Sequence, residues 1–254
     1  MIKDRIGEDG RGMVIIAMTI IVIVTAGLVM VYLHSRRRDY DEETLCRKYD
    51  DPACIVLIDK TDPWTRREGE RLAAELRKTG KGLALFERLS IHIMDNESGY
   101  HPVTVFDMCN PGRGDQVSAI YLNPRRIEKK FVDSFQAPLD RMIQRLKIEG
   151  EAKFSPIAES IACLREPERS ERLIIFSDMM QHSDMVSFYG RNLQGTERLI
   201  GKILEICQVE RPYDKITVYL IHRPEIPFAR MQRVKEVWRH VLPHIAKEVS
   251  WKYL

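Results

Sequence analysis

The apolar positions of this chain fall into three kinds of run. Met13 to Leu33 is uncharged and almost wholly apolar, and as a helix it would be about 30 Å long, the thickness of a bilayer core. Short apolar runs of strand length follow: Ile55–Ile58, Leu89–Met94, Val103–Met108, Leu173–Phe176, Ile216 to His222 and Val249–Tyr253. Continuous apolar runs bounded by polar turn residues predict strands buried on both faces. Between them the apolar residues keep helical spacing. Leu72, Ala73 and Leu76 mark one helix, and Phe131, Phe135, Leu139, Met142 and Leu146 another. Further helices are expected from Ser155-Pro156, over Thr196–Cys207, and over Arg230–His240.

Turn chemistry sharpens the boundaries. Pro63 suits a first helical position, and Thr65-Arg66-Arg67-Glu68 has capping-box spacing. Gly80 and Gly82 end that helix. Asp95-Asn96-Glu97-Ser98-Gly99 reads as a turn between two strands close in sequence, which predicts a hairpin at a sheet edge. Asn123-Pro124 opens the long helical stretch to about Lys147, which Pro138 should kink or break. Gly150 to Phe154 reads as a loop, and Ser155 as the cap of the next helix. The order of elements predicts a mostly parallel α/β sheet with helices on both faces and one antiparallel edge strand, behind one N-terminal transmembrane helix.

The expected organisation is a tail over 1–12, a retained transmembrane helix over 13–33, a juxtamembrane linker over 34–53 and one folded domain over 54–254. Residues 1–38 hold six Lys/Arg against three acids, leaving 34 of each sign in the rest of a chain with 40 basic and 37 acidic residues. The domain is therefore neutral overall, and no specific nucleic acid is expected as partner. The basic flank Arg36-Arg37-Arg38 favours a cytoplasmic domain, with a periplasmic or extracellular one as the alternative. Five cysteines without a Cys-x-x-Cys pair exclude a zinc ribbon. Cys109, Cys163 and Cys207 stand in apolar surroundings and read as reduced core thiols, while Cys46 and Cys54 could pair in an oxidising space. Arg113-Gly114-Asp115 lies in a glycine-rich turn and reads as a turn rather than an adhesive motif.

Two strands end in acids: Cys54 to Asp59, followed by Lys60-Thr61-Asp62, and Leu173 to Asp178. Strand ends are where binding groups gather in open α/β sheets. Asp59, Thr61, Ser155 and Asp178 offer hard oxygen donors of low total charge, which suits Mg²⁺ or Mn²⁺. His182 and His222 also stand near strand ends, but a hard cation prefers oxygen, and neither is taken as a ligand.

Asp59-x-Thr61 after an apolar strand, Ser155-Pro156-Ile157 at a helix start and Ser177-Asp178 after a second strand resemble the von Willebrand factor A domain and its metal-ion-dependent adhesion site. The resemblance spans residues 54 to 254. It implies a doubly wound fold, a Rossmann-like sheet and protein binding rather than catalysis. It implies that Asp59 and Thr61 match the first acid and hydroxyl, Ser155 the loop threonine and Asp178 the later acid. Pro63 stands where the family has its second hydroxyl and supplies no side-chain oxygen; Asp62 is the residue placed to substitute as metal ligand or rim group.

The expected function is thus a membrane-anchored interaction module binding a partner protein through a Mg²⁺ or Mn²⁺ site. A metal-free scaffold on the same fold is the alternative. A metal-dependent phosphohydrolase fits less well: Thr61 stands where the Asp-x-Asp-x-Thr motif has its second acid. Gly-x-Ser-x-Gly, Gly-x-x-x-x-Gly-Lys-Ser/Thr and His-Glu-x-x-His are also absent from the sequence, so no enzyme is expected.

Overall fold

The computed structural model describes residues 3–36, 41, 43–47, 51–94, 99–116, 123–146, 152–165, 171–189, 195–208 and 211–254. The expected turn at 95–98, part of the linker (37–40, 42 and 48–50), Lys147 and the first half of the loop at 150–154 lie outside them. The chain divides into two compact units, Met1–Asp41 and Glu42–Leu254.

The first unit is helix α1, Lys3–Arg36. Its large apolar side chains described between Val14 and Tyr32 all point outward. Thr25 folds its hydroxyl back onto the carbonyls of Ile21 and Val22 at 2.8 and 3.0 Å, so its polar group is satisfied within the helix. Among the described residues no helix is long and apolar enough to cross a membrane. The described side chains of the apolar stretch run unbroken only over 16–32, and those of Met13, Ile15 and Leu33 fall outside them.

The second unit is a six-stranded sheet, of strands β1 (Ala53–Asp59), β2 (Arg88–Met94), β3 (Val103–Cys109), β4 (Glu171–Ser177), β5 (Tyr213–Leu220) and β6 (Ala246–Tyr253), in the order β3-β2-β1-β4-β5-β6. All neighbours are parallel except β2 and β3, the expected edge hairpin. Every residue of β1 is buried, as its unbroken apolar run requires for a central strand. Side chains alternate across the sheet. Ile55 and Leu57 of β1, Leu173 and Ile175 of β4 and Ile216 and Val218 of β5 share one core. That core is closed by α5 (Ile157–Cys163), α6 (Thr196–Ile206) and α7 (Phe228–Ile245). On the other face lie α2 (Arg66–Lys81), α3 (Pro124–Phe131) and α4 (Ala137–Arg145). There Phe106 of β3 meets Phe135 edge-on, and Tyr219 of β5 donates to Glu75 of α2. Full burial of one Leu, Ile or Phe stabilises by about 1.5–3 kcal/mol, so β1 anchors both cores.

The local signals resolve as follows. Thr65 caps α2 with the complete capping box: its hydroxyl accepts from Glu68 N–H, and Glu68 accepts from Thr65 N–H at 2.7 Å. Pro63 lies before this cap, so the expectation that it opens the helix is corrected. Asn123 caps α3. The stretch containing Pro138 carries a π turn over Val132–Gln136, and Pro138 lies directly after it, so the widened turn accommodates the missing N–H without breaking the helical run. Ser155 does not cap α5: that helix begins at Ile157 without a side-chain cap. Ser155 instead pairs its backbone with His182, each N–H donating to the other's carbonyl at 2.8 Å, and its hydroxyl is turned to β1.

The cysteine reading changes most. Cys46 and Cys109 form a disulfide, and Cys54 is a free, buried thiol of β1. The alternative of a Cys46–Cys54 pair and the expected reduced state of Cys109 are both overturned. Cys109 ends β3, and its N–H donates to Thr44 O at 2.8 Å, which holds the 44–46 segment alongside the strand and presents Cys46 to it. Cys207 is free and buried as expected, whereas Cys163 is free and exposed. Arg113 donates to Asp115 through two nitrogens, at 2.9 and 3.1 Å, so the charges of the Arg-Gly-Asp turn satisfy each other.

Candidate functional site

In the observed strand order, β1 and β4 are neighbours from which the chain proceeds in opposite directions across the sheet. Loops diverge at the carboxyl ends of such a pair and leave a crevice where ligands bind. Asp59 ends β1 there, with Thr61 and Asp62 just beyond it; Ser177 ends β4 and Asp178 follows.

Asp59 is the hub. Its Oδ1 accepts from Thr61 N–H at 3.0 Å and from the Thr61 hydroxyl at 2.6 Å. Its Oδ2 accepts from the Ser177 hydroxyl at 2.7 Å and the Ser155 hydroxyl at 3.2 Å. Four donors from three segments thus hold one carboxylate that is almost fully buried. The backbone is pinned as firmly: Trp64 Nε1 donates to Asp59 O at 2.8 Å, Lys60 N–H to Met94 O, and Ala152 N–H to Thr61 O.

Asp178 is held differently. Its Oδ1 accepts from Met180 N–H at 2.9 Å, but its buried Oδ2 has no hydrogen-bond partner. The nearest cation is Arg223, whose Nε lies 3.8 Å from that oxygen. Burial, followed by the charge of Asp59, pushes the Asp178 carboxyl up to about 7. Asp62, half-exposed, is also raised, first by its burial and then by Asp59. The phenol of Tyr189 on the rim is raised by burial and then by Asp62, Asp178 and Asp59. All three shifts share the same two causes, burial first and then the crowding of carboxylates that the nearby positive charge does not offset.

The expected site residues Asp59, Thr61, Ser155 and Asp178 are brought together, with Asp62 beside them. Two contributors were missed. Ser177 gives Asp59 its shortest Oδ2 contact, and its position just before Asp178 was the available signal. Arg223 lies three residues past β5, in the polar end of that run, and nothing local distinguishes it. His182 lines the rim, its ring against Phe154 and Tyr189.

The donor set matches a hard divalent cation in kind, being carboxylate and hydroxyl oxygen, and the orphaned Asp178 Oδ2 is a free acceptor. Pro63 gives no side-chain oxygen, and its carbonyl accepts from Arg223 Nη1 at 2.9 Å. Both oxygens of Asp59 are engaged by protein donors. Among the described residues no group of three or more His, Cys, Asp or Glu side chains is arranged to hold a metal ion.

No family model matches the chain, and no curated protein matches it. Among solved structures it is similar to a von Willebrand factor type A protein from Catenulispora acidiphila, at 11% identity and a TM-score of 0.40, covering 82% of this chain and 40% of that one. It is also similar to the human COPII-coat protein Sec24c, at 12% identity and a TM-score of 0.35, covering 80% of this chain and 30% of that one. This chain thus spans less than half the length of either. Neither likeness is close enough to add to what the sheet topology itself shows.

Proposed function

We propose that this chain is a membrane-anchored protein-interaction module of the von Willebrand factor A type. Its partner protein docks over the crevice at the carboxyl ends of β1 and β4, where Asp59, Thr61, Ser155 and Asp178, with Asp62 on the rim, attract Mg²⁺ or Mn²⁺. The observation that carries this reading is the convergence of three segments on Asp59, beside an Asp178 oxygen left without a partner. A cation held by few charges keeps Lewis acidity for an acidic group of the partner. No catalytic role is assigned.

The anchor is residues 13–33. The outward apolar side chains of α1, its self-satisfied Thr25 and the basic residues after it support that role. The Cys46–Cys109 disulfide supports a domain facing an oxidising space, on the periplasmic or extracellular side, against the weak bias of the basic flank.

A metal-free scaffold is the second reading, favoured by the complete satisfaction of Asp59 by protein donors. The deciding experiment uses the full chain in detergent micelles. Mg²⁺ and Mn²⁺ raise the unfolding temperature of wild type and not of Asp59→Ala/Asp178→Ala, and partner capture from solubilised membranes is lost in the same variant. Equal response of both proteins to metal removes the metal, and capture by both moves the partner to another surface.

A further inference from the structure

Arg223 is buried to within 6% of its surface, in a crevice built of acids. Its Nη1 donates to Pro63 O at 2.9 Å and lies 3.6 Å from Glu68 Oε2, the oxygen that also completes the α2 capping box. Its Nε has no hydrogen-bond partner and faces Asp178 Oδ2, which has none either, across 3.8 Å. A buried guanidinium nitrogen and a buried carboxyl oxygen thus confront each other without a hydrogen bond. A guanidinium stays charged under all conditions, so it cannot escape burial by losing its proton. It persists in such a place only where fixed negative charge answers it.

We propose that Arg223 is the resident cation of this cluster, and that a divalent ion and the Arg223 guanidinium are alternative occupants of the space beside Asp178. The inference deepens the reading of the site given above, but the resident role stands without any metal entering. Pro63 links the two states. In place of a hydroxyl that would face a metal, it offers only a carbonyl, and that carbonyl is the oxygen Arg223 takes. The same residue that removes a metal ligand gives the arginine its acceptor. A metal arriving at Asp178 meets a positive charge already there, so the two cations oppose each other, and by linkage each weakens the other's hold.

The test compares full-length wild type with Arg223→Met, Arg223→Lys, Asp178→Asn and Arg223→Met/Asp178→Asn in micelles. The first measurement is the urea midpoint in chelator. Arg223→Met lowers it, Arg223→Lys lowers it less, and neutralising Asp178 in the double variant restores most of the loss. If Arg223→Met is too unstable to purify, recovery of folded protein in the double variant is the same result. The second measurement is Mn²⁺ binding, read by the loss of the free-ion electron paramagnetic resonance signal. Arg223→Met binds Mn²⁺ about 5–150-fold more tightly than wild type. An unchanged midpoint in Arg223→Met overturns the proposal, as does a double variant no better than the single one, because a packing role is not rescued by removing a charge elsewhere. Equal Mn²⁺ affinity in wild type and Arg223→Met overturns the exchange. If no variant binds Mn²⁺ while the rescue holds, the resident cation is supported and the metal in the proposed function falls.

Discussion

Ser177 donates its hydroxyl to Asp59 Oδ2 at 2.7 Å across 118 positions of sequence, closing the end of β4 onto the end of β1. The same hydroxyl accepts from Met179 N–H at 2.8 Å, so one side chain fixes both the carboxylate and the backbone of the following loop. Met179 takes a left-handed φ of 64° there, and its carbonyl accepts from Trp238 Nε1 at 2.8 Å.

Ser177→Ala is expected to cost about 1–3 kcal/mol in urea unfolding, since it strips partners from two buried groups. Ser155→Ala costs less, because its bond to Asp59 is longer. The double variant loses more than the sum, by about 0.5–3 kcal/mol, because Asp59 Oδ2 is then left with no donor. Simple additivity would mean that the two hydroxyls do not share one acceptor.

Asp178 sets a pH dependence. Its carboxyl is raised from 3.8 to about 7 in the fold. The native state therefore prefers the protonated form. Its contribution is complete below the unfolded value and is lost as pH rises through about 7, at about 1.4 kcal/mol per pH unit between the two values. In chelator, Asp178→Asn, which keeps an oxygen for Met180 N–H, is expected to be more stable than wild type at pH 8 and to match it near pH 4. Urea midpoints across that range check the sign. A variant less stable at pH 8 would show that Arg223 more than answers the negative charge.

The Cys46–Cys109 disulfide predicts a thiol count. Unfolded without reductant, the chain should alkylate at Cys54, Cys163 and Cys207 only; with reductant it should alkylate at all five cysteines. Intact-mass analysis reads both numbers. The bond closes a loop across 63 positions. Replacing both cysteines by serine is expected to cost about 2–4 kcal/mol.

Arg165 and Glu171 form an ion pair with both side chains buried, where the end of α5 meets the start of β4. Arg165 also donates to Arg211 O at 2.8 Å, tying in the approach to β5. Arg165→Met removes one member of this buried pair, at an expected cost of about 3–5 kcal/mol. Arg165→Met/Glu171→Met should recover most of it in thermal unfolding, because two apolar side chains replace the pair.

Much of the architecture was legible because its causes are local. The unbroken run Cys54 to Ile58 reads as a strand buried on both faces, and it lies in the middle of the sheet, paired on both sides. Thr65 and Glu68 announced a helix start by spacing alone, since a capping box is closed within one turn. Pro138 announced an irregularity but not its form. A π turn over Val132–Gln136 absorbs it and keeps Phe131 and Phe135 stacked with ring centroids 5.4 Å apart, a choice made by packing. Ser155 and Pro156 gave the same signal as a capped helix, yet the hydroxyl serves Asp59, a partner that helix periodicity cannot reveal.

The sequence by itself therefore determined the strands, the helices, the antiparallel edge and the acids at the strand ends, because hydrophobic period and turn chemistry act over a few residues. Only the tertiary structure decided which distant groups meet. It paired Cys46 with Cys109 rather than Cys54, because the strand that carries Cys54 is buried in the middle of the sheet while Cys109 ends an edge strand. It also brought Arg223 from beyond β5 to the orphaned oxygen of Asp178. Contacts of that kind are fixed by the order of strands in the sheet, a property of the whole chain that no local pattern contains.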